Sequence, residues 1–337
     1  SASPDGTALN PFAAVQPAID WAMAHPNGPQ TVCVAAGATC GMSHTYTSKA
    51  NQTITMANGV SVLGNYESVG WTRCNNSTTI LQPQTAEGIT FPATVVKATA
   101  LDGFKVDRFQ ATTTAGVTVD GAKGALLSNV TINNAPSVTS SYAVNVINGG
   151  DATITGSRLD AGAGTSESIG VRSVGAKVTI KNNCSNIDPV TGHCQAGCFN
   201  NGTQQPSIVG RATGTGTTFA VLLDSSPASR IETSALCRTQ ADIGAVIRVT
   251  GDATGVEIRS NTVNGFGGVQ QAYGIWLDDC NDAAPWIVDN EQITTQGANG
   301  NTVVNAIRAM GACHPVIDNN KQIIGGSEGQ AHNPIGV

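Results

Sequence analysis

Asp278 and Asp279, followed directly by Cys280, are the residues of this chain best suited to acid/base chemistry. Two carboxyl groups flanking a glycosidic bond supply the proton donor and the base or nucleophile that hydrolysis needs. A second option lies in three arginines that each follow the apolar residue of a short segment: Arg172 after Gly170-Val171, Arg248 after Val246-Ile247 and Arg308 after Ile307. A basic residue can abstract the proton beside a uronate carboxylate, often with a bound cation such as calcium. No cluster of aspartates suited to calcium is evident, so no metal site or cofactor is expected, calcium staying open as the one candidate under the lyase reading. Asp278, Asp279 and Arg308 are the catalytic candidates if the chain is an enzyme. The plain alternative makes the aspartates solvated turn residues and the arginines solvated wall residues. Stacked arginines would form a basic stripe for an acidic polymer, although a net charge of -6 does not favour polyanions.

Sugar-binding surfaces usually offer aromatic platforms, and here aromatic residues make up only 4% of the chain. The densest group, Phe266, Tyr273, Trp276 and Trp286, is the candidate ligand-binding set. Alternation along Ile275-Trp276-Leu277 puts the two aliphatic residues on one side and Trp276 on the other. The competing reading is that these aromatics simply cover loops or ends. Other chemistries find no support. The glycine-rich run Asn264-Gly265-Phe266-Gly267-Gly268 lacks the lysine and the strand-loop-helix setting of a phosphate loop. Five scattered histidines form no Ser-His-Asp set, no apolar run reaches membrane length, and the acidic balance argues against nucleic acid.

Nine cysteines, at 33, 40, 74, 184, 194, 198, 237, 280 and 313, suggest an oxidising compartment. The chain starts at Ser1 with no signal segment and reads as a mature, secreted protein. Cys280 and Cys313 occupy equivalent places in neighbouring repeats and are candidates to face each other. Cys184, Cys194 and Cys198 crowd one irregular loop, where a local bridge is expected. His193 would be a fourth ligand in a metal reading of that loop, but the paired short intervals of zinc sites are missing. The pairings stay open, and an odd count leaves at least one thiol free or intermolecular.

The elements that must carry these residues announce themselves by repetition. An aliphatic residue is followed three positions later by a small polar one at Leu126/Asn129, Ile154/Ser157, Ile180/Asn183, Ile231/Ser234, Ile258/Asn261, Ile287/Asn290 and Ile317/Asn320. The one long interval, from Asn183 to Ser234, divides near Ile208/Arg211. A second marker keeps the same phase: Gly116-Val117-Thr118-Val119, Ala143-Val144-Asn145-Val146, Gly170-Val171-Arg172, Gly244-Ala245-Val246-Ile247, Gly274-Ile275-Trp276-Leu277 and Ala306-Ile307-Arg308. Fixed periods of this size mean stacked units that bury their apolar faces only against neighbours. Alternation over three to five residues between Gly, Asn, Ser, Thr and Asp makes the units strands and turns, and a leucine consensus is absent. The expectation is an all-β, right-handed parallel β-helix with two or three strands per coil. Its repeated Asn either form a side-chain ladder or take left-handed turn positions.

The chain is read as one elongated domain, 1–337, with a cap segment at 1–30, first coils over 31–115 and regular coils over 116–337. Phe12, Val15, Ile19 and Ala22 have helical spacing, with Asn10 and Pro11 as a cap and first-turn pair for a helix plugging the first coil. The segment Asn333-Pro334-Ile335-Gly336-Val337 looks like half of another coil without a cap. Either the native chain continues past Val337, the favoured reading, or another chain covers that end.

The runs Ser3-Pro4-Asp5-Gly6, Asn10-Pro11-Phe12, Ala18-Ile19, Val34-Ala35-Ala36-Gly37, Gly59-Val60-Ser61-Val62-Leu63-Gly64-Asn65-Tyr66 and Trp71-Thr72-Arg73 resemble the opening of secreted bacterial pectate-lyase-like β-helix proteins. Many of these are surface proteins of myxobacteria and their relatives, and the superfamily includes lyases, hydrolases, adhesins and inert stalks. Relatives commonly show Gly-Gly-Tyr where this chain has Gly64-Asn65-Tyr66. Asp278-Asp279 is also similar to the paired aspartates of polygalacturonase-like hydrolases. The Asn-Thr-Asp, Gly-His-Gly and Arg-Ile-Lys motifs that accompany that pair are missing: His332 lies in Ala331-His332-Asn333, and Arg230-Ile231 is followed by Glu232. The expected role is therefore an extracellular or cell-surface scaffold, structural, adhesive or glycan-contacting and non-catalytic. A polysaccharide lyase or glycoside hydrolase is the alternative. The expected partner is an extracellular polysaccharide, or another chain at the C-terminal coil.

Overall fold

The computed structural model describes residues 10–28, 30–48, 52–107, 114–133, 138–184, 187, 189–190, 194, 207–212, 216–238, 241–297 and 303–327. Among these residues the strands form a ten-stranded and a seventeen-stranded sheet, the larger made of two stacks. A coil therefore has three walls. The first wall runs from Thr31–Gly37 to Val316–Asp318, the second from Ser43–Thr47 to Ile323–Ser327, and the third from Ile54–Thr55 to Val303–Met310. Neighbouring coils pair in parallel in all three, which makes the chain a parallel β-helix. Arg158–Val174 and Thr262–Asp278, 17 residues each, pass from the second wall into the third and fuse the two.

Strict register explains the repetition in the sequence. In the first wall Val32, Val62, Leu101, Leu127, Ile154, Ile180, Ile231, Ile258, Ile287 and Ile317 stand in one file. The third wall stacks Ile89, Val117, Val144, Val171, Val221, Ile247, Ile275 and Ile307 in the same way. From Leu101 to Ile287 and from Ile89 to Ile275, the members of these two files are essentially inaccessible to solvent. Each buried aliphatic side chain contributes roughly 1.5–3 kcal/mol, and β-branched residues suit the extended backbone.

Two phase assignments from the sequence need correction. Leu127, not Leu126, pairs with Ile154, so the first pair is Leu127/Val130. The Asn129 backbone is left-handed at φ 51°, one position before the ladder. Likewise Ile208 does not start a repeat of the first wall, because Ile180 pairs directly with Ile231. Ile208 belongs to the second wall, between Leu159 and Leu236. The long interval is one coil carrying an insertion after Cys184.

Both readings of the polar positions hold, on adjacent residues. Asn182, Thr233, Ser260, Asp289 and Asn319 are left-handed, with φ between 48° and 56°. The residue after each forms a buried ladder. The Ser157 N–H donates to Asn183 Oδ1 at 2.8 Å, Ser234 N–H to Asn261 at 3.0 Å, Asn261 N–H to Asn290 at 3.1 Å and Asn290 N–H to Asn320 at 3.0 Å. Asn261, Asn290 and Asn320 donate back to the carbonyls of Ile231, Ile258 and Ile287. One amide thus satisfies a donor and an acceptor of the preceding coil. Asn65 is also left-handed, at φ 69°.

The helix spans Val15–Ala24 and buries Val15, Ile19 and Ala22 in the cluster that holds Val34, Ile54 and Val60. It starts later than expected, with Ala14 as its N-cap. Pro17, rather than Pro11, is the proline that sits in the first turn, where its missing N–H costs no helical hydrogen bond. Disulfides join Cys40 to Cys74, Cys184 to Cys194, and Cys280 to Cys313, the last across adjacent coils with Cα atoms 4.7 Å apart. Among the described residues Cys33 is the free thiol. His193, Cys198, His332 and Asn333–Val337 lie outside the described residues.

Candidate functional site

The third wall carries an apolar cluster separate from the core, made of Ile169, Phe219, Leu222, Ala245 and Tyr273, with Tyr142 and Trp276 packed against it. Strict alternation would not put these residues together. The strands slip by one: Ala143 and Val144, Ala220 and Val221, and Val246 and Ile247 are consecutive residues that all belong to the inner core. Residues on either side of the slip, three apart in sequence, therefore share the outer face. Tyr142 goes with Asn145, Phe219 with Leu222, Ala245 with Arg248 and Tyr273 with Trp276. A small residue eases the slip; a Cβ at Gly274 would lie 2.4 Å from the Ala306 carbonyl oxygen.

Asn145, Arg172, Leu222, Arg248, Trp276 and Arg308 form one file on that face. The three arginines occupy alternate coils, so they repeat about every 10 Å at a strand spacing of about 4.8 Å. Each lies over a ring. The Arg172 guanidinium carbon is 5.3 Å from the Tyr142 ring centre, that of Arg248 is 4.4 Å from Trp276 and 5.7 Å from Phe219, and that of Arg308 is 5.0 Å from Tyr273. Cation–π contacts of this kind keep the guanidinium heads close to the wall.

Polar contacts complete the placement. Arg172 donates to Asn145 Oδ1 at 3.0 Å, and Arg248 pairs with Asp278 at 2.8 Å. Arg308 donates to the Tyr273 hydroxyl, which donates to Gln271 Oε1 at 2.9 Å. The Tyr142 hydroxyl donates to Glu167 at 2.5 Å. Burial chiefly, then the hydrogen bond and charge of Glu167, raise the Tyr142 pKa above its ordinary value. Arg248 and Asp278 are each nearly a third exposed, so a ligand can reach this pair.

No family model and no curated protein matches this chain. Among solved structures it is similar to the A-module of a mannuronan C-5 epimerase from Azotobacter vinelandii, with 14% identity and a TM-score of 0.35, over 95% of this chain and 93% of that one. A likeness that distant carries no argument about chemistry, and the fold assignment rests on the strand pairing itself.

The candidates from the sequence are partly brought together. Tyr273 and Trp276 touch, with ring centres 5.2 Å apart, and Arg308 and Asp278 belong to the same face. Tyr273 is fully buried, so Arg308 covers a ring that offers no platform of its own. Trp286 is 53% exposed but stands on the first wall, between Glu257 and Val316. Asp279 follows in a left-handed turn, at φ 56°. The side chain of Phe266 lies outside the described residues. Among the described residues no three His, Cys, Asp or Glu side chains converge as a metal site. Sequence reasoning missed Tyr142, Glu167 and Phe219. The signal for them was the small residue before each aliphatic of the third wall, which marks the slip.

Proposed function

We propose that this protein is a secreted β-helix scaffold that holds an acidic extracellular polysaccharide along the outer face of its third wall without cleaving it. The observation that carries the reading is the file of Arg172, Arg248 and Arg308 on alternate coils, each head oriented by a ring beneath it. A repeat of about 10 Å is close to the length of two sugars in an extended 1,4-linked chain. Alternate carboxylates of a polyuronate would then meet successive guanidiniums, which bind carboxylates in a planar, two-pronged manner. Net charge concerns the whole surface, whereas this face gathers cations locally.

Asp278 supports a non-catalytic role, since it is engaged with Arg248 rather than set opposite a second carboxylate at a vacant site. The disulfides support placement outside the cell; separately, no helix among the described residues is long and apolar enough to cross a membrane. The resemblance to secreted pectate-lyase-like proteins points the same way, and the reading takes residues 1–337 as one solenoid.

The test is a binding panel of polyuronates and neutral polysaccharides, with and without calcium, read together with unsaturated-uronate absorbance and reducing ends. Retention on polyuronates alone, with no new absorbance and no new ends, is the expected result. Turnover that vanishes in Asp278→Ala/Asp279→Ala or in Arg308→Ala would establish the lyase or hydrolase alternative instead.

A further inference from the structure

In the arginine file Leu222 stands between Arg172 and Arg248, and Trp276 stands between Arg248 and Arg308. Coils that carry a cation therefore alternate with coils that carry an apolar side chain. A second file on the same face keeps this two-coil period with the opposite charge. It consists of Val174, Asp224, Thr250, Asp278 and Met310, each two residues beyond its counterpart in the arginine file. Ser173, Leu223, Val249 and Leu277, which separate the two files, are buried, so the files share the outer face, about 7 Å apart. Every arginine coil has an uncharged residue in the second file, whereas the Leu222 and Trp276 coils have Asp224 and Asp278. Trp276 and both aspartates keep contact with solvent, while Leu222 is mostly covered.

The two kinds of coil suit two kinds of sugar. On an arginine coil the guanidinium recognises a carboxylate. One coil further, about 4.8 Å along the stack, a sugar meets apolar surface and an aspartate. An ionised carboxylate only accepts hydrogen bonds, so it takes a hydroxyl or an acetamido N–H and repels a second carboxylate. Both aspartates keep room for this. Arg248 donates to Asp278 Oδ2, and the Ser225 hydroxyl donates to Asp224 Oδ1 at 3.3 Å, against roughly four acceptor sites on each group. In a uronate homopolymer every second sugar would bring its carboxylate to a coil that holds Asp224 or Asp278 and has no arginine in the file.

We infer that this face selects a linear heteropolysaccharide with a disaccharide repeat, one uronate alternating with one uncharged sugar, over a uronate homopolymer. This selectivity rests on the polysaccharide-holding role proposed above and adds the identity of the sugar between the charged ones. Attraction and repulsion divide the task. Arg172, Arg248 and Arg308 capture the uronates, and Asp224 and Asp278 reject a carboxylate in the intervening places, which is how specificity arises from an unfavourable contact with the wrong ligand.

The experiment is calorimetric titration of the whole protein with two hexasaccharides of identical linkage, one alternating 1,4-linked glucuronate and N-acetylglucosamine, the other 1,4-linked glucuronate throughout. The copolymer carries three carboxylates, one for each arginine, and the homopolymer six. Charge alone favours the homopolymer, whereas the wild type should bind the copolymer about three- to tenfold more tightly, the effect of two like-charge contacts at partly exposed positions. In Asp224→Asn/Asp278→Asn the homopolymer should gain until the two affinities agree within about twofold. Homopolymer binding equal to or tighter than copolymer binding in the wild type, or a preference that the double variant leaves unchanged, would overturn the selectivity while the proposed role of the face stands. The wild-type comparison needs no variant, so it decides the matter even if the double variant does not fold. Binding of neither hexasaccharide would overturn the role of the face itself, and the selectivity with it.

Discussion

Asp278 is the residue on which the enzymatic and scaffold readings make opposite forecasts. Its carboxylate neutralises Arg248, so in a polyuronate binder it competes with the ligand for that guanidinium. Asp278→Asn should therefore tighten polyuronate binding about two- to fivefold, as removal of a like charge at a partly exposed contact does. Stability should change by less than about 0.5 kcal/mol, because the pair is solvated. Titration calorimetry on the two proteins reads both numbers, and weaker binding in the variant would count against the assigned role. Asp102 illustrates a carboxylate with a structural task. Burial opposes its charge, but hydrogen bonds from Arg73 and Asn129 and the charge of Arg73 outweigh that and hold its pKa below the ordinary value. Its stabilisation is full above the unfolded pKa of about 3.9 and is lost as pH falls through the lowered folded value. Asp102→Asn should cost about 1 kcal/mol near neutrality and nothing in strong acid, a difference that denaturant melts at two pH values would show.

Among elements, the ladder is the clearest case of sequence dictating structure, and also of where reading stops. The spacing of Ile258 to Asn261 and Ile287 to Asn290 revealed the coils because each aliphatic fills the core and each amide bonds to the coil before it. The register of the first pair escaped because Asn129, a left-handed turn residue, looks like a ladder residue one position early. The third-wall slip was hidden for a related reason: period-two alternation assumes an unbroken strand, whereas Ala143-Val144 and Val246-Ile247 turn two neighbours inward. Tyr273 and Trp276 were legible as a group, but their arginine cover was not, since it comes from pairing across coils. Asn261→Ala should unfold about 2–4 kcal/mol more easily, because it strands the buried Ser234 N–H and Ile231 carbonyl. Urea melts compared with those of an exposed control such as Asn75→Ala would test this, and equal midpoints would argue against a supporting ladder. Replacing Cys280 and Cys313 by serine should cost about 3–4 kcal/mol, given a closed loop of 33 residues, measured as the shift in urea midpoint.

For the whole molecule, a stack of coils turns a one-dimensional repeat in sequence into a one-dimensional repeat of side chains in space. Any residue type repeated in phase becomes a stripe, and the arginine file becomes a ruler for a linear ligand. From Arg172 to Arg308 the file covers four coil steps, or about 19 Å. The measurement that tests this most directly is calorimetric titration of the wild type and of Arg172→Ala/Arg248→Ala/Arg308→Ala with oligouronates of increasing length. Affinity for the wild type should climb with each added pair of sugars until the chain spans the file, then level off, and the triple variant should show neither rise nor appreciable binding. Length-independent affinity, or equal binding by the two proteins, would contradict the assignment of this face.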